Sequence, residues 1–426
     1  MPSRPTLLRD PAFVVALVIA VVVALGFGLV VPVLPLFARD FGVGLFGVGV
    51  VVSVFAGVRL VSNIYAGTLA DRIGTRRAVG IGALIVAASS LATAGAPSYA
   101  ALVAFRGAGG FGSALFFTAL LTLVVRSVPS EQRGRAVGTL QGAFLFGIAF
   151  GPSVGGVLAE PLGLRWPFAI YAVFCATAGL VALRFLPRGE APAGPAVTTD
   201  EEGAPPAAKP QGLVATWRVA RELCSDRAFA AALLMMAASR WAATGPRFSL
   251  VPVFGVEVVG ASKSIVGLAL TLAAVTHLLV LWPTGRAADT LGRRAVGGPA
   301  YLVFAAIAAT VGLATSVPAF LLVLALYGVG TGLTSVTPPA VVGDIVSPER
   351  TGIGVGVLNT AGDLGSVLGP LVSNWLAGAL GYGWGFGASA LLLAVSGVVA
   401  LRMRETLPTR AMPADPEVPY TSARAD

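Results

Sequence analysis

The sequence predicts an all-α membrane protein of twelve transmembrane helices in two pseudo-symmetric six-helix bundles. Three observations lead there: an apolar composition, twelve runs long enough to cross a bilayer, and a charged motif repeated at a fixed offset. Of 426 residues, 56% are hydrophobic and only 12% charged, and the mean hydropathy is +0.85. A soluble domain carries roughly 25% charged residues. This chain has too little polar surface to cover a water-soluble globule, so lipid is its solvent.

A helix needs about 20 apolar residues to cross the hydrocarbon core. The qualifying runs are 12–37, 44–66, 78–96, 98–125, 136–159, 165–186, 228–255, 263–284, 295–315, 318–343, 352–379 and 382–401. Helices satisfy every backbone group within lipid, so each run is read as one crossing. The first follows Arg4 and Arg9, as a signal peptide would, but it is too long and lacks a small-residue cleavage site. Pro32, Pro35, Pro152, Pro252, Pro338, Pro339 and Pro370 fall inside runs and predict kinks. The 54 glycines permit close helix contact.

One interruption breaks the rhythm. Residues 187–212 are rich in Pro, Ala and acid, the composition of a disordered linker. Leu213 to Arg227 carries Trp217 and several charges and predicts a short helix on the cytoplasmic membrane face. The chain therefore divides into an N-terminal bundle, 1–186, a linker with its interfacial helix, 187–227, and a C-terminal bundle with a polar tail after Leu407, 228–426.

Orientation follows from the basic residues. With both termini cytoplasmic, 22 of the 29 Lys and Arg fall in cytoplasmic segments. Arg39, Arg165 and Lys263 fall outside, and Arg59, Arg106, Arg240 and Arg247 lie within runs. That bias sets the topology. The net charge of +9 does not indicate nucleic acid, because no basic stripe is interleaved with aromatics. Cys175 and Cys224 make no disulfide framework.

The repeat identifies two copies of one unit. Gly67 to Arg77 reads as a short charged loop and returns as Gly285 to Arg294, with Gly67 and Gly285, Asp71 and Asp289, Gly74 and Gly292, and Arg76 and Arg294 each 218 positions apart. Gly147, Gly151 and Pro152 match Gly365, Gly369 and Pro370 at the same offset. Two parallel six-helix halves are a layout of secondary transporters.

The loop Gly67-Thr-Leu-Ala-Asp71-Arg72-Ile-Gly74-Thr-Arg76-Arg77 resembles the signature of the major facilitator superfamily between its second and third helices. Arg106-Gly-Ala-Gly-Gly110-Phe-Gly112-Ser-Ala114 resembles its fourth-helix motif, with Gly109 in place of the usual glutamine. Gly147-Ile-Ala-Phe-Gly151-Pro152-Ser-Val-Gly155-Gly156 is similar to the fifth-helix motif of the twelve-helix drug–proton antiporters, as are Gly26-Phe-Gly28 and Pro32-Val-Leu-Pro35. The resemblance implies a transporter of the exporting type.

For each motif two readings stand. Asp71 and Asp289 can latch the halves, Asp71 at the start of the eleventh helix near Gly352 and Asp289 at the fifth near Arg135, since a carboxylate is favoured at a helix N-terminus. Alternatively they, Arg72, Arg76 and Arg77 are topogenic charges around tight glycine turns. The stripe Gly147, Gly151, Gly155 with Pro152 is either helix packing alone or the seat of the fifth helix against the other half.

Ionisable groups within the membrane are the sharpest functional signal. The arginines Arg59, Arg106, Arg240 and Arg247 either pair with acids and carbonyls or face a cavity that attracts an anionic or polar substrate. Glu257 and Asp40, near outer helix ends, are available as partners. Proton coupling needs a group that changes charge during the cycle. Asp363 is the midspan acid, with Arg106 expected as its neighbour, and His277 is the single histidine. Four interior cations against one acid argue mildly against broad cation specificity.

These features predict a monomeric plasma-membrane (inner-membrane) transporter that exports a small organic molecule against inward proton flow, with no cofactor beyond the proton gradient. Proton-coupled or facilitated uptake of a metabolite or organic anion is the alternative, and a non-transporting receptor or assembly factor is one of another class. No metal-ligand cluster, P-loop or nucleophile elbow is present in the sequence, so neither an enzyme nor an ATP-driven pump is expected.

Overall fold

A computed structural model describes residues 10–129, 132–187, 213–347 and 350–407. Most of the expected linker 187–212, the tail beyond Leu407, and Arg4 and Arg9 lie outside the described residues. All regular structure among the described residues is helical.

The N-terminal bundle comprises α1 (Pro11–Val30), α2 (Val33–Arg39), α3 (Leu45–Ile73), α4 (Thr75–Ala94), α5 (Tyr99–Arg126), α6 (Arg133–Leu162) and α7 (Trp166–Phe185). The amphipathic α8 (Leu213–Ser225) follows. The C-terminal bundle comprises α9 (Arg227–Ala242), α10 (Val251–Glu257), α11 (Lys263–Leu291), α12 (Arg293–Thr310), α13 (Val317–Ser335), α14 (Thr337–Ile345), α15 (Thr351–Leu380) and α16 (Tyr382–Arg402). Eleven of the crossings are helices long and apolar enough to span a membrane. The twelfth, from α9 to α10, is divided by a π-helical segment, Ala243–Leu250, which holds Pro246.

Two crossings break at their far ends. Pro32 has no N–H and its ring clashes with the preceding turn, so α1 stops at Val30 and α2 restarts at Val33. In the C-terminal half the π segment does the same work before α10. The two short pieces occupy equivalent positions, because Val33 and Arg39 plus 218 give Val251 and Glu257. Inside α15, Pro370 frees the carbonyl of Ser366, and the hydroxyl of Thr244 donates to it at 3.2 Å. A side chain thus satisfies the carbonyl that proline orphans within lipid.

The duplication is also written in the backbone. Among the described residues six glycines have positive φ, and they form three pairs at the 218 offset: Gly42 with Gly260, Gly74 with Gly292, and Gly163 with Gly381. Only glycine adopts this region without strain. One correction follows at the repeated motif. Gly67 to Arg77 is not a loop, because α3 continues through Asp71 to Ile73 and only Gly74, at φ +85°, leaves the helical conformation before α4. The copy behaves alike, with Gly292 at φ +106° between α11 and α12. A 29-residue helix is about 43 Å long, well beyond a core of about 30 Å, so these helices carry their charges out of the membrane without unwinding.

Candidate functional site

The halves meet along two symmetric seams, α3 against α15 and α6 against α11. At each, a glycine of one helix lies under a proline carbonyl of the other. A Cβ at Gly49 would collide with the Pro370 carbonyl, and one at Gly267 with that of Pro152. Gly49 and Gly267 are equivalent positions, and so are the prolines. Beside them, Ser53 Oγ donates to the Val367 carbonyl at 2.7 Å, and its equivalent Thr271 accepts from the Ser153 N–H at 3.0 Å.

These contacts all lie toward the ends opposite Gly74 and Gly292. There Arg39 Nε meets Glu257 Oε1 at 2.8 Å, and the Tyr382 hydroxyl donates to Glu257 Oε2 at 2.9 Å. Eighteen residues are five full turns, so Gly67 shares a face of α3 with Gly49, and Gly285 shares one of α11 with Gly267. Gly138 likewise shares a face of α6 with Gly156, and Gly356 one of α15 with Asn374. Among the described residues, a Cβ at Gly67, Gly285, Gly138 or Gly356 would meet nothing within 4 Å. The same faces that touch at the far side therefore stand apart at the hinge side, and the halves enclose a cleft that opens there.

The apex of the cleft is charged. Arg59 Nη2 of α3 meets Asp363 Oδ1 of α15 at 3.0 Å, across the seam, and Asn63 Nδ2 reaches Asp363 Oδ2 at 3.5 Å. Arg240 stands beside them on α9, with its Cγ against Gly362. The partner of Asp363 is thus Arg59, not the expected Arg106, because α5 packs inside the N-terminal half. Arg106 is 3% exposed, lies 4.6 Å from the Phe55 ring centroid and has no carboxylate partner among the described residues. Arg247 departs from the cavity reading too: it is buried in the C-terminal half and donates to the Leu270 carbonyl at 3.3 Å. His277 is half-buried on α11 at the position equivalent to Arg59. The residue equivalent to Asp363 is Leu145. The two seams therefore match in backbone but differ in charge.

Above Arg59 a cavity penetrates the N-terminal half. Phe27, Phe55, Phe116, Phe117, Phe144 and Tyr171 wall it, with Ser113 and Cys175. Phe117 and Phe144 stack at 4.3 Å, and Phe27 and Phe55 lie 6.0 Å apart. Among the described residues, no carboxylate lines it.

At the hinge side each acid pairs within its own half. Asp71 meets Arg126 at 3.2 Å. Arg293 bridges Asp289 at 2.5 Å and Asp344 at 2.9 Å. The expected latches to Gly352 and Arg135 are not made in this conformation, since the cleft parts the elements that would form them. Arg72 and Arg294 are exposed and Arg76 half-buried. Glu405 accepts the N–H groups of Arg293 at 2.7 Å and Arg294 at 3.1 Å, closing the start of α12. Burial pushes its carboxyl up, but bonds from Leu407, Arg293, Arg294 and Thr406 outweigh that and hold it below the usual range.

The fifth-helix stripe does not seat against the other half. Gly147, Gly151 and Gly155 face Ala24, Leu25, Gly28 and Leu29 of α1, within the N-terminal bundle. The adjoining face, Pro152 and Gly156, makes the crossing contact with Lys263 and Gly267. The sequence reading missed Gly49, Gly267, Ser53, Thr271 and Asn63. The 218 offset, carried across every small residue of the second and eighth runs, would have found the first four.

The family described as Major Facilitator Superfamily matches residues 16–260 and 236–423. A stretch of 144 residues is 31% identical to the quinolone resistance protein NorA of Staphylococcus aureus, covering 34% of this chain and 37% of the relative. A stretch of 175 residues is 29% identical to multidrug resistance protein 2 of Bacillus subtilis, covering 41% and 43%. The chain thus spans less than half the length of these relatives. Among solved structures, a bacterial homolog of the human lysosomal transporter Spinster, inward-facing and unoccupied, superposes with a TM-score of 0.75 at 16% identity, over 94% of this chain and 97% of that one.

Proposed function

The chain belongs to the Major Facilitator Superfamily, and from that premise we propose that this transporter is a proton-coupled exporter of small, largely apolar organic molecules. The observation that carries the reading is the Arg59–Asp363 pair at the apex of the cleft, directly beneath an aromatic cavity. An intramembrane acid on the translocation path is the group that a proton can occupy and leave. Protonation of Asp363 removes the charge that holds Arg59 across the seam. It loosens α3 from α15 in the same event. The names of the two bacterial relatives support an exporter of drug-like compounds.

The excess of Lys and Arg in the hinge-side segments supports a cytoplasmic hinge side in a plasma (inner) membrane, with both termini there. The conformation described is then open to the cytoplasm and sealed outside by Arg39, Glu257 and Tyr382. The protein acts as a monomer and draws its energy from the proton gradient. A second reading, proton-coupled or facilitated uptake of an organic anion, is favoured by one observation: two arginines, Arg59 and Arg240, stand beside one carboxylate at the apex, and only Arg59 pairs with it.

Proteoliposomes with an imposed pH gradient, screened with small organic compounds, test both. An exchanger exporting its substrate dissipates the gradient when substrate is loaded on the side opposite the protons. Co-transport dissipates it when substrate is on the same side. A gradient indifferent to every compound counts against proton coupling.

A further inference from the structure

The geometry points to a binding subsite for one anionic group, of the carboxylate class, formed by Arg240 and Arg59 at the apex of the cleft, with the ligand's aromatic body in the cavity between Phe27, Phe55, Phe117 and Phe144. The proposal rests on the cleft being the ligand path and not on the direction of transport.

The charge balance is the first support. Arg59 and Arg240 face a single acid, Asp363, and among the described residues the other acids stand at or beyond helix ends. Asp363 can neutralise only one guanidinium, and Arg59 holds it at 3.0 Å. Arg240 makes no ion pair among the described residues and is exposed, although it stands level with Asp363 in the interior of the span. An arginine at that depth is costly unless a counter-charge neutralises it.

The second support is hydrogen bonding. The Nε of Arg59 is buried and has no acceptor among the described residues. A guanidinium presents its donors as a planar fork that fits a carboxylate with two bonds. Arg59 also lines the aromatic cavity, so its donors and the rings bound one continuous space. A ligand carboxylate placed between the arginines supplies the missing acceptor and brings the three-charge cluster to neutrality.

The third support is the wall itself. Phe117 and Phe144 are already stacked, and Phe27 and Phe55 flank the opening above Arg59. Rings in this arrangement receive another flat apolar ring by offset or edge contact. No carboxylate lines the cavity to hold a cationic ligand.

Calorimetric titration of the full-length protein in nanodiscs tests this with 1-naphthoate, its uncharged isostere 1-naphthamide, and 1-naphthylmethylammonium. The carboxylate is expected to bind about tenfold or more tighter than the amide, the scale of one charge-assisted hydrogen bond, and the ammonium weakest. R240Q is expected to reduce the preference for carboxylate over amide to below about threefold, whereas F117A weakens both probes and leaves their ratio unchanged. Should R240Q fail to fold, R240K, which loses the planar fork, is expected to lower the preference without abolishing it. A carboxylate that binds no tighter than the amide, including the case where neither binds, overturns the subsite, as does an R240Q or R240K protein with an unaltered preference. Intact preference without movement of any compound in proteoliposomes would overturn the transport reading while leaving the subsite in place.

Discussion

Arg39 and Glu257 are equivalent residues of the two repeats, 218 positions apart, and they bond to each other at 2.8 Å. Two equivalent positions touch only where the pseudo-twofold axis passes between them. This ion pair therefore sits on the axis, at the sealed mouth of the molecule, on the short helices α2 and α10 that breaks set apart from α1 and α9. Any motion that opens this mouth must separate the pair.

Replacing Arg39 by Ala or Glu257 by Gln is expected to shift the population toward outer-open forms by roughly two- to fivefold, since a half-exposed pair contributes about 0.5–1 kcal/mol. Spin-label distances across the outer mouth check it. The charge-reversed double variant R39E/E257R is expected to restore the original distribution.

Asp363→Asn is expected to abolish gradient-driven accumulation, to the level of protein-free liposomes, while binding or exchange remains measurable. The variant keeps an acceptor for Arg59 but cannot change charge. Normal coupled transport by it would remove Asp363 from the coupling role and leave His277 as the candidate.

Gly49→Val and Gly267→Val each force a branched side chain against a proline carbonyl at the seam. Overpacking of this kind costs about 1–3 kcal/mol. Each variant is expected to weaken the outer seal, seen as faster labelling of an engineered outer cysteine. Gly147→Val is expected to lower thermal stability instead, because its neighbours belong to its own bundle.

Glu405→Gln is expected to lower the thermal midpoint at neutral pH by loosening the start of α12, with a cost on the order of 1 kcal/mol by analogy with helix caps. The carboxyl is held below its ordinary range in the folded protein. Its contribution is therefore full above the unfolded-state value and is lost as pH falls through the folded one. The difference between wild type and variant should vanish in acid, as read by a thermal melt at several pH values.

Much of the fold was legible because lipid imposes one rule on every crossing. Apolar length located the twelve crossings, and the 218 offset located the duplication, including Gly74 with Gly292; the other two pairs of positive-φ glycines came only from the backbone. The limits are physical. Hydropathy marks where a helix leaves the hydrocarbon, not where it ends, so Gly67 to Arg77 read as a loop although α3 runs on to Ile73. Periodicity placed Gly147, Gly151 and Gly155 on one face but could not say which neighbour that face meets. It also could not say that Arg59 rather than Arg106 reaches Asp363, because the crossing of α3 over α15 depends on glycine–proline contacts far apart in the chain. Asp71 and Asp289 were legible as hinge-side acids, but their partners in this structure, Arg126 and Arg293, lie within their own halves and were not.

The most direct test of an alternating cleft uses Gly138 and Gly285. Both lie on faces that touch at the far side and stand open at the hinge side. In a protein with Cys175 and Cys224 replaced, cysteines at these two positions should form a disulfide only when the hinge side closes. The account predicts that oxidation during turnover joins them, that transport stops, and that reduction restores it. Absence of the bond during turnover, or undiminished transport once it has formed, would contradict the account.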